Sequence, residues 1–242
     1  MMYYRPQSLF AVNRKLSASV ETIGRERNRI LIIDNLYAEP EHLRWLALNT
    51  PAQILGDHPE TDNFKSFVSA RISMQVSHEE PIRVLQEAVN TYLGIEPPEQ
   101  LETDKLEIFV FKNIDNPPLD AVFHPRFAEF DHRIGAVAFV FLNHDDENSG
   151  GFNFYRNDLL KRDCIPPGEA EHFGNLLQEQ DGNVSDGRTV WHENWDENWS
   201  VIHQVPARFN RAVIFPRNTL HGPWVRSHDH FEVPRIDQLI NL

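Results

Sequence analysis

The hydrophobic pattern has two different periods, and the period changes near residue 105. In residues 1–104, apolar residues recur at helical spacing over residues 40–48 and 80–93, which predicts two amphipathic helices. Residues 1–28 are polar and mixed, and we expect a leading arm there that packs on the domain. Residues 29–34 form a β-branched run that predicts a buried strand. Residues 1–104 thus supply one strand and its supporting helices.

From residue 105 onwards the period changes to two, which is typical of β-strands. An interruption at about 158–198, rich in charge and turn formers, is interpreted as an insertion or lid, with a predicted helix at 168–180. The predicted strands are residues 106–112, 136–142, 151–155, 199–205, 211–215 and 235–240.

Helices followed by many short strands favour one domain, residues 1–242, that is mainly β with added helices (α+β). We expect a sandwich or barrel of strands over residues 105–242, with the N-terminal helices packed on one face. Strands and helices do not alternate, and no glycine-rich nucleotide-binding motif is present, so a parallel doubly wound fold is disfavoured.

Composition narrows the class of protein further. The chain of 242 residues is 40% hydrophobic and contains sixteen phenylalanines, which is enough apolar side chain for a sizeable core. Its formal net charge of −13 argues against nucleic acid as a partner, because binding a phosphate backbone needs a clustered basic face. The lone Cys164 cannot form an internal disulfide, and no signal peptide or run of ~18 apolar residues is visible. We therefore expect a cytoplasmic protein without membrane spans.

Candidate chemistry concentrates in the last third of the chain. His221 follows the predicted strand 211–215 and its turn, and Arg235 begins the next predicted strand fourteen positions later. Histidine is a common metal ligand, and a planar guanidinium suits a bidentate grip on a carboxylate. The alternatives are a histidine that caps a strand and an arginine in a surface salt bridge. The apolar strand around Arg235 disfavours the second of these, and Arg226 is the fallback for its role.

An ordered series of motifs resembles the 2-oxoglutarate/iron(II)-dependent oxygenases of the prolyl-hydroxylase-like superfamily. The segments that carry the resemblance are residues 135–143, 150–155, 208–216 and 220–222, followed by Arg235. Within that superfamily the nearest match is an uncharacterised bacterial family of unknown function. The resemblance implies a double-stranded β-helix (jelly-roll) barrel, iron(II), 2-oxoglutarate as co-substrate and hydroxylation of a small-molecule or peptide substrate. His221 matches the metal histidine nearer the C-terminus, and Arg235 matches the arginine that pairs with the distal carboxylate of 2-oxoglutarate.

The other half of the expected metal site departs from the family pattern. Such enzymes hold iron with two histidines and one carboxylate. His124 matches the first histidine by position, but Arg126 stands where the carboxylate is expected. Asp131 is our first candidate for the missing ligand, with Glu129 as an alternative, while a third register takes His132 as the histidine. A chain that has lost its iron is the remaining possibility.

Four further interpretations concern a substrate pocket, a second metal candidate and two alternative functions. Trp191 and Trp195, together with Arg126, are candidates for a substrate pocket, although the tryptophans can equally anchor the insertion to the barrel. The His-x-His pair at residues 228–230 is a weak metal candidate. A catalytically silent binding module on the same fold is the alternative function, because Arg126 would repel iron(II). A cupin-like isomerase or sugar-binding protein would explain the histidines and leave Arg235 unused.

Overall fold

The computed structural model describes residues 9–51, 53–54, 67–96, 105–113, 135–147, 150–166, 168–169, 172–173, 199–224 and 233–242. These residues include the helices α1 (Pro40–Asn49) and α2 (Glu79–Leu93). The strands are β1 (Ser17–Ile23), β2 (Asn28–Asp34), β3 (Gln53–Ile54), β4 (Phe67–Gln75), β5 (Lys105–Asn113), β6 (Ala136–Phe141), β7 (Gly151–Asn157), β8 (Trp199–Pro206), β9 (Ala212–Pro216), β10 (His221–Trp224) and β11 (Arg235–Asn241). Neither helix is long and apolar enough to cross a membrane.

The described strands form two antiparallel sheets. The large sheet has the order β1-β2-β9-β6-β11-β5-β4-β3, and the small sheet has the order β10-β7-β8. From β6 onwards the chain changes sheet at every connection except the one from β7 to β8. Strands β6, β9 and β11 belong to the large sheet, and β7, β8 and β10 belong to the small one. This alternation, with β11 placed between β5 and β6, is the strand order of a jelly roll, or double-stranded β-helix.

The predicted fold class is confirmed, but the expectation of a barrel is wrong for the described strands. They form two separate hydrogen-bonded sheets that face each other across a layer of side chains. The apolar faces of the two sheets pack against each other. Their side chains are therefore buried although no hydrogen bonds join the sheets into a closed barrel. The architecture is therefore a sandwich with a helical cover.

The central strands of the large sheet are buried on both faces, which explains their continuous apolar sequence. On one face, residues such as Ala138 and Ile214 pack against Leu43 of α1 and Leu85 of α2. The opposite face meets the small sheet through a second cluster, which we call the interior cluster. Its members are Ile23, Ile30, Ile32, Val137, Phe141, Phe152, Phe154, Val205, Val213 and Phe215. The helices thus lie outside, and the interior cluster lies between the sheets.

Two segments of the N-terminal half differ from the sequence prediction. Residues 17–23 were assigned to the polar arm, but they form β1, which pairs with β2 as a hairpin. Exposed polar residues on this edge strand conceal its period, because only Ile23 is fully buried. Strand β4 was also missed, and it pairs with β5 over nine positions. The predicted helix at 168–180 lies largely outside the described residues.

Asn210 fixes the crossing between the N-terminal segments and the jelly roll. It has a φ of 62°, in the left-handed region, and is 4% exposed. Its Oδ1 accepts from the Tyr37 backbone N–H at 2.8 Å, and its Nδ2 donates to the Tyr37 carbonyl at 2.8 Å. These two contacts brace the backbone of Tyr37 against the loop before β9.

We expect Asn210→Ala to lower the free energy of unfolding by about 3 kcal/mol, because it leaves two buried backbone groups of Tyr37 unpaired. Asn210→Gly loses the same bonds but tolerates the positive φ, so its loss should be smaller by roughly 1 kcal/mol. Urea unfolding of the three proteins measures both values. Losses below roughly 0.5 kcal/mol in both variants would contradict the bracing role.

Candidate functional site

His221 begins β10 and turns its ring into the interior cluster. Its ring centroid lies 4.5 Å from that of Phe215, 6.0 Å from Phe152 and 6.3 Å from Phe139. The residue is only 5% exposed. The sequence prediction that this histidine follows a buried strand and its turn is therefore matched by its position, since β9 ends at Pro216. The ring is held in an apolar, aromatic setting between the sheets.

One ring nitrogen of His221 is oriented by the backbone. Nδ1 lies 2.7 Å from the carbonyl oxygen of Thr219, and because a carbonyl can only accept, Nδ1–H is the donor. The neutral ring then carries its lone pair on Nε2. A backbone carbonyl on one nitrogen is the usual device that fixes the tautomer and orientation of a metal-binding histidine. This contact makes His221 chemically suited to a metal.

The turn that carries the Thr219 carbonyl is fastened to the loop after β7. Leu220 N–H donates to the Asp163 carbonyl at 3.0 Å, and Ile165 N–H donates to the Asn218 carbonyl at 2.8 Å. The Asp163 carboxylate, which is fully buried, accepts from Arg156 at 2.5 Å and from the Glu26 N–H at 2.9 Å. The β1–β2 turn therefore braces the turn before His221 through Asp163.

Replacing Gly24 tests this brace. At a φ of +66°, an added Cβ would overlap Asp163 Oδ2 and approach Ile202 Cδ1 to 2.8 Å. Gly94 is a matched control, because its φ is +71° and nothing lies within 4 Å of the added Cβ. We expect thermal or urea unfolding to show a loss of about 3 kcal/mol for Gly24→Ala and about 1 kcal/mol for Gly94→Ala. Equal losses would mean that Asp163 moves at no cost.

Arg235 reaches from the large sheet to the small one. It is the first residue of β11 and is 2% exposed. Nη1 donates to the Trp224 carbonyl at 2.9 Å, and Nη2 donates to the Gly151 carbonyl at 3.0 Å. Trp224 and Gly151 are paired partners in the small sheet, on β10 and β7. The guanidinium thus spans the interior next to the strand that carries His221.

The backbone of Arg235 is fixed by a single side chain from the end of β6. Asn143 Nδ2 donates to the Pro234 carbonyl at 2.8 Å, and Asn143 Oδ1 accepts from the Ile236 N–H at 2.7 Å. These contacts bracket Arg235 on both sides. Asn143 is 1% exposed and follows directly from the apolar strand that the sequence motif placed before it. The guanidinium therefore projects from a rigid position.

Asp237 is the counter-charge of Arg235. Arg235 Nε donates to Asp237 Oδ2 at 2.8 Å, and both side chains are 2% exposed. Burial raises the pKa of Asp237, while the guanidinium acts in the opposite direction. No sequence motif pointed to Asp237. Alternation along β11 could have revealed it, because residues two apart on a strand share one face.

His221 and Arg235 lie next to the same part of the interior cluster. We call this part, around Phe141 and Phe152, the chamber. The Phe152 ring lies 6.0 Å from the His221 ring, and the Arg235 Cζ atom lies 5.8 Å from the same Phe152 centroid. Phe141 forms a second wall, with its centroid 5.4 Å from Arg235 Cζ. The structure thus places His221 and Arg235, which are fourteen positions apart in sequence, next to one shared phenylalanine ring.

All of the site predictions, including the roles of His221 and Arg235, stay predictions. His124, Arg126, Asp131, Trp191 and Trp195 lie outside the described residues. The same holds for the alternatives Glu129, His132, Arg226 and the 228–230 pair. Among the residues that the structure describes, no three histidine, cysteine or carboxylate side chains come together as a metal site.

The donor set in the described half fits an iron(II) and 2-oxoglutarate site. His221 has the tautomer that a metal ligand needs. Of the five N–H groups of Arg235, three have acceptors within the described residues, and one remains on each terminal nitrogen. A carboxylate can accept from both terminal nitrogens of a guanidinium. A metal on His221 and a carboxylate on Arg235 are thus both chemically possible around one chamber.

The fold and strand order define a double-stranded β-helix protein with a histidine and an arginine facing its interior. The chain belongs to a family of unknown function, DUF6445, whose family model matches residues 14–235. No curated protein matches the chain.

Solved structures similar to the chain include an epimerase and a prolyl 4-hydroxylase. The non-heme alpha ketoglutarate dependent epimerase SnoN from nogalamycin biosynthesis aligns with a TM-score of 0.48 at 18% identity, over 88% of this chain and 78% of that one. SnoN in complex with Fe3+, alpha ketoglutarate and nogalamycin RO gives 0.44 at 17% identity with the same coverage. A prolyl 4-hydroxylase structure from Phytophthora capsici gives 0.38 at 12% identity, over 87% of this chain and 57% of that one.

Proposed function

We propose that the chain is a non-haem iron(II)/2-oxoglutarate-dependent oxygenase that hydroxylates a small-molecule or peptide substrate. The observation that carries the proposal is the pairing of an oriented histidine and a buried arginine around one phenylalanine chamber. His221 is held through Nδ1 by Thr219, and Arg235 is held between the two sheets. The jelly-roll strand order places both residues at the interior of the sandwich.

Each residue has a defined role in this proposal. His221 Nε2 would bind the metal, with His124 and Asp131 as the further ligands that the sequence suggests. Arg235 would hold the distal carboxylate of 2-oxoglutarate through its terminal nitrogens, which orients the co-substrate relative to His221. Phe141 and Phe152, which lie against the guanidinium, would exclude water from the bound carboxylate, and this would strengthen the contact between the charges. When bound, iron(II) and 2-oxoglutarate supply the oxidative chemistry.

A catalytically silent binding module is the second candidate function. It is favoured by Arg126, because a cation beside His124 would repel a metal ion. In that case the chamber would still bind a carboxylate ligand through Arg235.

Co-substrate turnover separates the two candidates. The purified chain is incubated in air with iron(II) and 2-oxoglutarate, and succinate is measured, with parallel samples that lack iron(II), 2-oxoglutarate or oxygen. An oxygenase forms succinate only in the complete mixture, even at the slow rate expected without the substrate. Equal succinate in the complete and the iron-free samples, or none in either, would contradict the enzymatic proposal.

A further inference from the structure

We propose that Asp237 is a second contact for the carboxylate held by Arg235, and that it takes up one proton when this carboxylate binds. The inference rests on the proposed function, because it concerns the same ligand group. It adds Asp237 and its proton to the proposed site, and the resemblance implies neither of them. Three observations support it: the geometry of Asp237, the charge balance of the chamber and the groups around it.

The geometry leaves one oxygen of Asp237 without a protein partner. Oδ2 accepts from Arg235 Nε. Oδ1 is buried and has no hydrogen-bond partner among the described residues. A buried polar atom without a partner costs roughly 1–3 kcal/mol, so such an atom in a folded protein calls for an explanation. An acceptor that arrives on the terminal nitrogens of Arg235 would lie beside this carboxyl group.

The charge balance requires a proton once the ligand arrives. Arg235 and ionised Asp237 together are neutral, and Phe141 and Phe152 form apolar walls around them. A ligand carboxylate would add one negative charge, and an uncompensated buried charge is very costly. If Asp237 takes a proton from water, the chamber stays neutral. The new O–H can then donate to the ligand oxygen, which satisfies the second carboxyl oxygen of Asp237.

Glu107 is the other carboxylic acid on the described strands that flank or face Asp237. Strand β6, which pairs with β11, has no titratable residue. On β5, Phe109 is the partner of Asp237, and Glu107 lies two pairs further along, opposite Leu239. Glu107 is therefore the neighbouring acid that must be tested against Asp237. The other ionisable residues on facing or flanking strands are Lys105 and Lys112 on β5, Arg71 on β4, Tyr155 and Arg156 on β7, His203 on β8 and His221 on β10.

Calorimetric titration tests the inference. The full chain, supplied with manganese(II) as a non-turnover metal, is titrated with 2-oxoglutarate in two buffers of different ionisation enthalpy, at several pH values. The buffer dependence of the heat gives the number of protons taken up. We expect about one proton, and a Kd that rises by up to about tenfold per pH unit, because the proton favours the complex and is lost as pH rises.

Variants identify the group that takes the proton. Asp237→Asn can donate through its amide without titrating, so its uptake should fall to near zero and its Kd should vary little with pH. Glu107→Gln should keep the uptake of the wild type. Asp34→Asn, which breaks a different arginine–aspartate pair in the same sheet, should keep it as well. If Asp237→Asn does not fold, the proton uptake of the wild type and of the Glu107→Gln variant still tests the inference.

The outcomes separate this inference from the proposed function. Binding of 2-oxoglutarate without proton uptake, or with equal uptake in wild type and Asp237→Asn, overturns the inference and leaves the proposed function standing. Loss of uptake in Glu107→Gln overturns it too. No binding of 2-oxoglutarate by the wild type overturns both.

Discussion

Arg235→Leu should lower the free energy of unfolding by about 3–5 kcal/mol at neutral pH, because it leaves Asp237 buried without its counter-charge. The same variant should lose measurable binding of 2-oxoglutarate, since it removes the guanidinium that is proposed to hold the distal carboxylate. Urea unfolding and calorimetry give the two values. A loss of stability without a loss of binding would show that the carboxylate is held elsewhere.

A double variant and a pH series separate lost charge pairing from lost packing. In Arg235→Leu/Asp237→Leu the buried charge is gone, and apolar replacement of a buried ion pair is often nearly neutral, so stability should recover most of the loss. In the single variant, the pKa of Asp237 rises further, because the guanidinium that lowers it is missing. The folded protein then binds the proton more tightly than the unfolded chain. The deficit relative to wild type should therefore shrink as pH falls and grow as pH rises.

Gly151→Ala should prevent stable folding or lower the free energy of unfolding by at least about 4 kcal/mol. Gly151 has a φ of +155°, and an added Cβ would overlap the Val205 carbonyl oxygen and approach Ala207 N to 2.8 Å. These atoms are backbone of the neighbouring strand, so they cannot move aside as a flexible side chain can. The Gly151 carbonyl also accepts from Arg235, so any shift reaches the site.

Soluble expression and thermal unfolding measure the Gly151→Ala effect. Gly94→Ala is again the control, because its added Cβ meets nothing within 4 Å. We expect Gly94→Ala to unfold within a few degrees of the wild type and Gly151→Ala to be insoluble or strongly destabilised. A Gly151→Ala protein as stable as Gly94→Ala would mean that the close approach of β7 and β8 is not needed.

The spacing of apolar residues predicted most strands of the jelly-roll half, residues 105–242, because these strands are buried on one or both faces. Strands β6, β7, β8, β9 and β11 were predicted within a few residues. The hairpin strand β1 was not, since its exposed polar residues carry no core signal. A buried strand requires apolar residues at alternating or successive positions, so it can be recognised in the sequence. An exposed edge strand is held by backbone hydrogen bonds, which require no such pattern.

The functional pair was only partly predictable. His221 and Arg235 follow from motif order, but the carboxylate beside the arginine and the carbonyl beside the histidine do not. Asp237 is two positions from Arg235, so strand alternation places it on the same face once β11 is accepted. The Thr219 carbonyl has no side-chain signature at all. Contacts through the backbone can be found only from the fold.

Metal binding tests the central claim most directly. The chain is dialysed anaerobically against iron(II) with 2-oxoglutarate, and bound metal is measured for wild type, His221→Ala and the control His144→Ala. His144 contacts Glu41 on α1 and is partly exposed. We predict about one iron per chain for wild type and His144→Ala, and loss of that iron in His221→Ala. No stoichiometric iron in the wild type, or equal iron in all three proteins, would contradict the assignment.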